Sequence, residues 1–257
     1  MIKPTCVYFI GSGPGDPELI TLKGKRLLEE ADVVVYAGSL VKEKTLKHCR
    51  RDIEIHNSAS MTLDEIMKVI VNAAKRGEKV VRLHSGDPTI YSALKEQTGI
   101  LEEEGIPYKI VPGISSALAS AAALKEELTM PEISQTVIFT RIEGRTPVPK
   151  SERLSELSKH QATMCIFLSI RLIEKVVAEL KEGYPEDTPA AVVYKATWDD
   201  EKIIRGSLKD IVRKVKEAKI KRQAMIIVGK TLSSDITHHA SRLYAKNFEH
   251  GYRNKKG

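Results

Sequence analysis

The sequence predicts an α/β protein of two domains, on three observations. Short apolar runs of strand length alternate with longer stretches of helical periodicity. The alternation starts afresh after Pro112-Gly113, so the 257 residues fall into two halves, each large enough to bury a core. Hydrophobic residues make up 42% and charged residues 29%, a balance that supports packed cores and excludes a disordered chain.

The elements follow in order. Val7-Tyr8-Phe9-Ile10 is a first strand, ending in the turn-rich Gly11 to Pro17 and followed by a helix over about Thr21–Glu30. Val33-Val34-Val35-Tyr36 is a second strand, and Ile53-Glu54-Ile55 marks a short third. Thr62 to Arg76 reads as an amphipathic helix, with Thr62 as N-cap, Glu65 completing a capping box, and Gly77 as its stop. A strand over Lys79–Leu83, a helix over Tyr91–Glu104 and a strand over Tyr108–Val111 complete the first half. Continuous apolar strands separated by helices imply a mostly parallel sheet covered on both faces.

In the second half, Ser115–Leu124 is a helix of small residues. Thr136–Thr140, Thr163–Leu168, Ala190–Tyr194 and Met225–Val228 are strands, with helices around Ser151–Ser158, Ser169–Glu182 and Leu208–Lys219. The expected domains are therefore 1–113 and 114–232, followed by a basic tail over 233–257. Gly144 to Lys150 is a Pro-containing basic loop expected at the surface.

Composition excludes several classes. No apolar run approaches the ~18 residues of a membrane helix, and the opening residues are too short for a signal peptide, so a cytoplasmic protein is expected. Cys6, Cys49 and Cys165 are odd in number and far apart, which fits neither a disulfide framework nor a zinc cluster. The net charge is +7, but six Lys/Arg against two acids from Lys230 onward supply +4 of it. The body of the chain lacks the basic stripe of a nucleic-acid binder, and no nucleic-acid partner is expected. The tail is either a solvated basic segment or a device that attracts a polyanion. His238-His239 and His250 invite a metal reading, yet adjacent histidines point apart and no third ligand stands nearby, so no protein metal is expected.

The first strand runs into Gly11-Ser12-Gly13-Pro14-Gly15-Asp16-Pro17, which superficially matches a dinucleotide fingerprint. The match fails on chemistry. Asp16 stands where the third glycine belongs and would face a pyrophosphate, and Pro14 and Pro17 remove backbone donors. The second strand ends Tyr36-Ala37-Gly38, without the acidic residue that holds a ribose.

The longer phrase Gly11 to Gly24 resembles the opening signature of the tetrapyrrole methylases. Three further phrases match that family in order: Ala31 to Tyr36, Ser85-Gly86-Asp87-Pro88-Thr89-Ile90-Tyr91, and Val111-Pro112-Gly113-Ile114-Ser115-Ser116-Ala117. Weaker matches at Phe167-Leu168, Tyr194 to Thr197 and Ile226 to Gly229 extend the likeness to about residue 230. Within the family, Tyr36 to Val41, the loop Thr140 to Pro149 and the tail phrases Ser241 to Tyr244 and Phe248 to Arg253 are similar to the branch that methylates C11 of precorrin-4, or its cobalt form, in cobalamin biosynthesis.

The resemblance implies the tetrapyrrole methylase fold, a non-Rossmann arrangement of two α/β/α domains with a ligand cleft between them. It also implies S-adenosylmethionine as methyl donor, leaving as S-adenosylhomocysteine, a tetrapyrrole (corrin precursor) substrate, and a homodimer. Cofactor contacts carried over by motif are Pro14, Ser85, Gly86, Asp87, Ile90, Ser115, Ser116, Ala117, Leu168, Ala196 and Ala224. Asp87 either faces the cofactor's amino group or caps the turn it stands in. Ser115, Ser116 and Ala117 open a helix and serve the cofactor, the helix cap, or both. Leu168, Ala196 and Ala224 read equally as core. Pro14 and Asp16 lie on the loop that borders the substrate trough in the first domain, and Asp16 is the candidate catalytic base, against a reading as cap of the following turn. Alternatives are another tetrapyrrole methylase, acting on uroporphyrinogen III at C2/C7 or at a different corrin carbon, and, in a different class, a basic module that binds a polyanion.

Overall fold

The computed structural model describes residues 3–233, and the tail beyond them, with His238, His239 and His250, lies outside the described residues. The chain forms two compact units. The first comprises residues up to Ala119 together with Lys195–Asp200; the second comprises Ser120–Tyr194 and the residues from Glu201.

The first unit contains β1 (Val7–Gly11), α1 (Leu22–Glu29), β2 (Val33–Tyr36), β3 (Glu54–Asn57), α2 (Leu63–Lys75), β4 (Val80–His84), α3 (Leu94–Glu103), β5 (Tyr108–Val111) and the start of α4 (Ser116–Leu124). Its sheet has the order β3-β2-β4-β1-β5, and every pair is parallel. Alternation along β4 divides the core. Val80 joins Val7, Phe9, Val33, Val35, Ile70 and Leu101 under α2 and α3, whereas Val81 and Leu83 join Ile10, Leu27, Leu28 and Val34 under α1. Helices thus cover both faces. The α2 N-terminus is built as expected: Thr62 Oγ1 accepts from Glu65 N–H at 3.3 Å, and the Glu65 carboxylate accepts from Thr62 N–H at 2.7 Å. The connections after the neighbouring strands β1 and β4 lead to helices on opposite faces. Such a divergence opens a crevice at the carboxyl ends of the two strands.

The second unit contains β6 (Val137–Arg141), α5 (Leu154–Ser158), β7 (Thr163–Phe167), α6 (Ile173–Leu180), β8 (Pro189–Tyr194), β9 (Lys202–Ser207), α7 (Ile211–Glu217) and β10 (Ala224–Val228), in the sheet order β6-β7-β10-β8-β9. Only β6 and β7 are parallel; β10 runs antiparallel to β7 and β8, and β9 antiparallel to β8. The strands alone did not reveal this, because apolar content carries no direction. Leu154, Val176, Leu180, Ile211 and Val215 of the three helices pack with Met164, Ile166, Val192 and Ile226 of the sheet.

Several sequence expectations are corrected. The helix placed over Tyr91–Glu104 begins at Leu94, because Tyr91 (φ 51°) and Ala93 (φ 52°) are left-handed. The strand expected over Thr163–Leu168 ends at Phe167, where Leu168 turns to φ 55°. The helices expected over Ser151–Ser158 and Ser169–Glu182 are α5 and α6, each shorter and preceded by a 3₁₀ turn, at Lys150–Glu152 and Ile170–Leu172. Strand β9 and the 3₁₀ turn Glu43–His48 carry no clear sequence signal. The basic loop after β6 is exposed as expected, and Arg141 closes it by donating to the carbonyls of Thr146 at 3.1 Å and Pro147 at 2.8 Å.

Candidate active site

Three loops meet at the carboxyl ends of β1, β4 and β5, and glycine is what lets them meet. A Cβ on Gly11 would stand 2.6 Å from Gly113 Cα, and one on Gly113 would stand 2.7 Å from Gly11 Cα; both would also strike the Gly86 carbonyl. Main-chain bonds then lock the loops together. Ser12 N–H donates to the His84 carbonyl at 2.7 Å, Gly13 N–H to Gly86 O at 3.3 Å, and Gly86 N–H to Gly13 O at 2.9 Å. Gly86 sits at φ 63°, and a Cβ there would meet only ordinary contacts, with Ser116 N at 3.7 Å and Ile114 O at 3.8 Å. Its place is dictated by conformation and leaves space above the backbone.

Asp87 holds this junction. Its Oδ2 accepts from Gly113 N–H at 2.9 Å, and its Oδ1 accepts from Thr89 N–H at 2.8 Å and Thr89 Oγ1 at 2.5 Å. Burial raises its carboxyl pKa, but the bonds from the Thr89 hydroxyl and the Gly113 and Thr89 amides outweigh that and bring it below the usual range. The turn-capping reading of Asp87 is therefore realised. Ser115 is buried at the start of α4 and its Oγ accepts from Ala117 N–H at 3.3 Å, which realises the capping reading there too. Ser85 and Ile90 are half-buried on the β4 loop, and Ser116 is half-buried beside Gly86.

Asp16 caps a 3₁₀ turn over Pro17–Leu19, its Oδ1 accepting from Glu18 N–H at 2.9 Å. Its own N–H donates to Thr197 Oγ1 at 3.0 Å, and the Pro14 carbonyl accepts from Trp198 Nε1–H at 3.0 Å. Residues 195–200, including the buried Ala196, thus belong to the glycine loop's surroundings. The structure brings Pro14, Asp16, Ser85, Gly86, Asp87, Ile90, Ser115, Ser116, Ala117 and Ala196 into the first unit. Leu168 and Ala224 lie in the second. Leu168 is 67% exposed, so the core reading fails for it, whereas Ala224 packs against the core as the first residue of β10.

Sequence reading missed two groups. Thr197, matched only as the end of the phrase Tyr194 to Thr197, and Trp198 are about 180 residues from the loop they contact; that phrase and the chain's single Trp were the pointers, and neither gave the contact. Arg82 and His84 hide in an apolar strand, where the charge within Val-Val-Arg-Leu-His was the available signal. Arg82 is buried and donates to neutral acceptors, Gln97 Oε1 at 3.0 Å, Ser58 Oγ at 2.9 Å and Val35 O at 3.3 Å; burial lowers its pKa to about 10. Gln97 in turn donates to the carbonyls of Ser92 and Ala93, the left-handed segment after the Gly86 loop.

No helix among the described residues is long and apolar enough to cross a membrane, and no group of three or more His, Cys, Asp or Glu side chains comes together among them.

Comparison with known proteins places the fold. The family model for Tetrapyrrole (Corrin/Porphyrin) Methylases matches residues 6–212. A cobalt-precorrin-4 C(11)-methyltransferase of Methanocaldococcus jannaschii is 59% identical over 248 residues, covering 96% of this chain and 95% of that protein. An X-ray structure of a cobalt precorrin-4 methyltransferase of cobalamin biosynthesis superposes with TM-score 0.86 at 48% identity, over 88% of this chain and 95% of the other. A uroporphyrin-III C-methyltransferase from Thermus thermophilus, solved with S-adenosylhomocysteine, gives TM-score 0.76 at 27% identity, over 88% of this chain and 98% of the other. With the family's sequence pattern spanning most of the residues and its fold reproduced, the chain belongs to the tetrapyrrole methylase family.

Proposed function

We propose that the protein is an S-adenosylmethionine-dependent C-methyltransferase that methylates C11 of precorrin-4, or of its cobalt form, in cobalamin biosynthesis. The near full-length correspondence with a C(11)-methyltransferase at 59% identity carries this reading, and among the solved structures the precorrin-4 enzyme stands at 48% identity against 27% for the uroporphyrin-III enzyme.

The first unit's loops fit the donor's chemistry. The open backbone above Gly86 admits close approach, and the start of α4 with Ser115, Ser116 and Ala117 suits a carboxylate or ribose. Asp87 acts mainly by holding Gly113 and Thr89, so that Gly86 stays in its left-handed conformation. Pro14, Ser85, Ile90, Leu168, Ala196 and Ala224 complete the proposed contacts.

S-adenosylmethionine supplies an electrophilic methyl group on a sulfonium. As the new bond to C11 forms, the sulfur–methyl bond breaks and its electron pair stays on sulfur. The proton that leaves the macrocycle passes to Asp16, whose half-buried carboxylate stands at the tip of the glycine loop. Alignment of donor and acceptor carbons supplies most of the catalysis the protein must provide. We further infer a cytoplasmic homodimer from the family resemblance, which sedimentation of the purified protein checks.

The deciding experiment feeds carbon-13-methyl S-adenosylmethionine with precorrin-4, cobalt-precorrin-4 or uroporphyrinogen III and maps the product by NMR. Label at C11 of either precorrin is expected. Label at another corrin carbon, or only on uroporphyrinogen III, would overturn the assignment.

A further inference from the structure

The middle of the glycine loop has few groups of its own with which to hold its shape. Pro14 and Pro17 donate no hydrogen bond, and Gly15 has no side chain to pack. At its far end Asp16 is anchored in the following turn, accepting from Glu18 N–H on its carboxylate at 2.9 Å and from Leu19 N–H on its carbonyl at 3.0 Å; what holds the rest of the stretch Pro14–Asp16 is the connection between β8 and β9. Trp198 Nε1–H donates to the Pro14 carbonyl at 3.0 Å, and Asp16 N–H donates to Thr197 Oγ1 at 3.0 Å. The polar main-chain groups on either side of Gly15 are therefore both satisfied by two adjacent residues. Between them, the indole lies where a Gly15 Cβ would have to be, so glycine at 15 is the complement of Trp198.

The indole is itself clamped. Lys42 Nζ lies 5.4 Å and Lys195 Nζ 5.0 Å from the ring centroid, within cation–π range. Asp199 bridges Lys42 at 3.1 Å and Lys44 at 2.6 Å, and Asp200 pairs with Lys195 at 2.6 Å. Lys195 (φ 48°) and Thr197 (φ 68°) are both left-handed, a conformation non-glycine residues hold only when the surroundings enforce it. Strain, clamps and two main-chain bonds converge on one ring against one glycine.

We propose that Trp198 is a positioning residue for methyl transfer: it fixes the Pro14–Asp16 loop, and through it the direction of the Asp16 carboxylate. The inference rests on the functional reading above for its catalytic consequence, while the positioning itself is testable without it. A displacement near 1 Å in an aligned site costs up to about 100-fold in rate, which sets the expected scale.

The test compares wild type with Trp198→Ala, Trp198→Phe and Thr197→Val. Amide hydrogen exchange by mass spectrometry reads the loop directly. Methyl transfer from labelled S-adenosylmethionine to cobalt-precorrin-4 gives kcat and KM, and calorimetry gives the S-adenosylmethionine Kd. Trp198→Ala is expected to accelerate exchange over residues 12–18 while α2 stays protected, and to lower kcat 10- to 100-fold, with Kd weakened by a much smaller factor through the proposed Pro14 contact. Trp198→Phe keeps the ring and loses the donor, so an intermediate kcat is expected; Thr197→Val should loosen the Asp16 amide. Unchanged loop exchange in the variants overturns the proposal, as does a Kd that weakens in step with kcat, which would mark a merely structural role. If Trp198→Ala fails to fold, Trp198→Phe alone decides, and a kcat within twofold of wild type overturns it. Faster loop exchange in a protein that transfers no methyl group to any precorrin would instead sink the functional reading and leave the positioning role standing.

Discussion

His84 makes the first unit sensitive to acid, and the size of the effect follows from its surroundings. The residue ends β4, is 4% exposed, and stacks on Phe9 with ring centroids 6.0 Å apart. Its buried Nε2 has no hydrogen-bond partner among the described residues. Burial, and after it the charge of Arg82 two residues away on the same face, pushes the imidazole pKa from 6.5 down to about 3. An unfolded chain takes up this proton below pH 6.5, whereas the folded chain resists until about 3. The unfolded state thus binds more protons across that window, so stability is complete above it and falls as the pH drops through it. At about 1.36 kcal/mol per pKa unit the loss is on the order of 5 kcal/mol, comparable with the whole stability of a typical domain.

Replacing His84 by Leu removes the proton site and the orphaned nitrogen while keeping an apolar side chain of similar bulk. At pH 7 the change should be close to neutral, since a buried polar atom without a partner contributes nothing favourable. Between pH 6.5 and 4, urea unfolding followed by circular dichroism should show wild type losing at least about 2 kcal/mol more than the variant. Parallel stability profiles for the two proteins would refute the reasoning, and so would a His84 pKa near 6.5 measured by NMR.

Other outcomes follow from the same geometry. Asp16→Asn should lower turnover far more than S-adenosylmethionine affinity, measured by label transfer and calorimetry, and unchanged turnover removes Asp16 as base. Gly113→Ala places a methyl group 2.7 Å from Gly11 Cα and against the Gly86 carbonyl, so the three loops must part; S-adenosylmethionine binding should be abolished in calorimetry. Thr62→Ala removes half of a capping box and should cost about 1 kcal/mol in urea unfolding, with activity unchanged.

How far the sequence spoke for the structure depended on the range over which each feature is determined. The α2 cap is settled by residues three apart, and Thr62 and Glu65 announced it. Strands β1, β2 and β4 are buried on both faces and read as apolar runs, broken in β4 by Arg82 and His84. Strand β9 lies at a sheet edge with a mixture of exposed and half-buried residues, Lys-Ile-Ile-Arg-Gly-Ser, and offers no such run. The start of α3 misled because Tyr91 to Ala93 look helical in composition, while their conformation is imposed from outside, in part by Gln97 reaching back to Ser92 and Ala93. Among candidate site residues, the glycines and Asp87 were legible because their motifs are local. Trp198 was not, since its partner Pro14 lies 184 residues away.

The glycine loop also explains why a strand-loop-helix so close to a dinucleotide site serves another ligand. A pyrophosphate cradle requires main-chain N–H groups that are free and point at the anion. Here Ser12 and Gly13 spend theirs on the carbonyls of His84 and Gly86, Gly86 spends its own on Gly13, Gly113 donates to Asp87, and Asp16 donates to Thr197. Pro14 and Pro17 have none to give. Binding a polyphosphate would mean breaking the very bonds that hold β1, β4 and β5 together at this end, each worth roughly 0.5–1.5 kcal/mol and all shared by one junction. Asp16 and Asp87 add negative charge where the phosphates would lie. A ligand bearing a sulfonium and an ammonium meets no such conflict, and in the proposed binding its carboxylate takes its donors at the start of α4. The sequence argument against a dinucleotide rested on Asp16, the two prolines and the absence of an acidic residue after β2; the hydrogen bonds supply the stronger reason, which is that the remaining donors of Ser12, Gly13, Gly86, Gly113 and Asp16 are already taken.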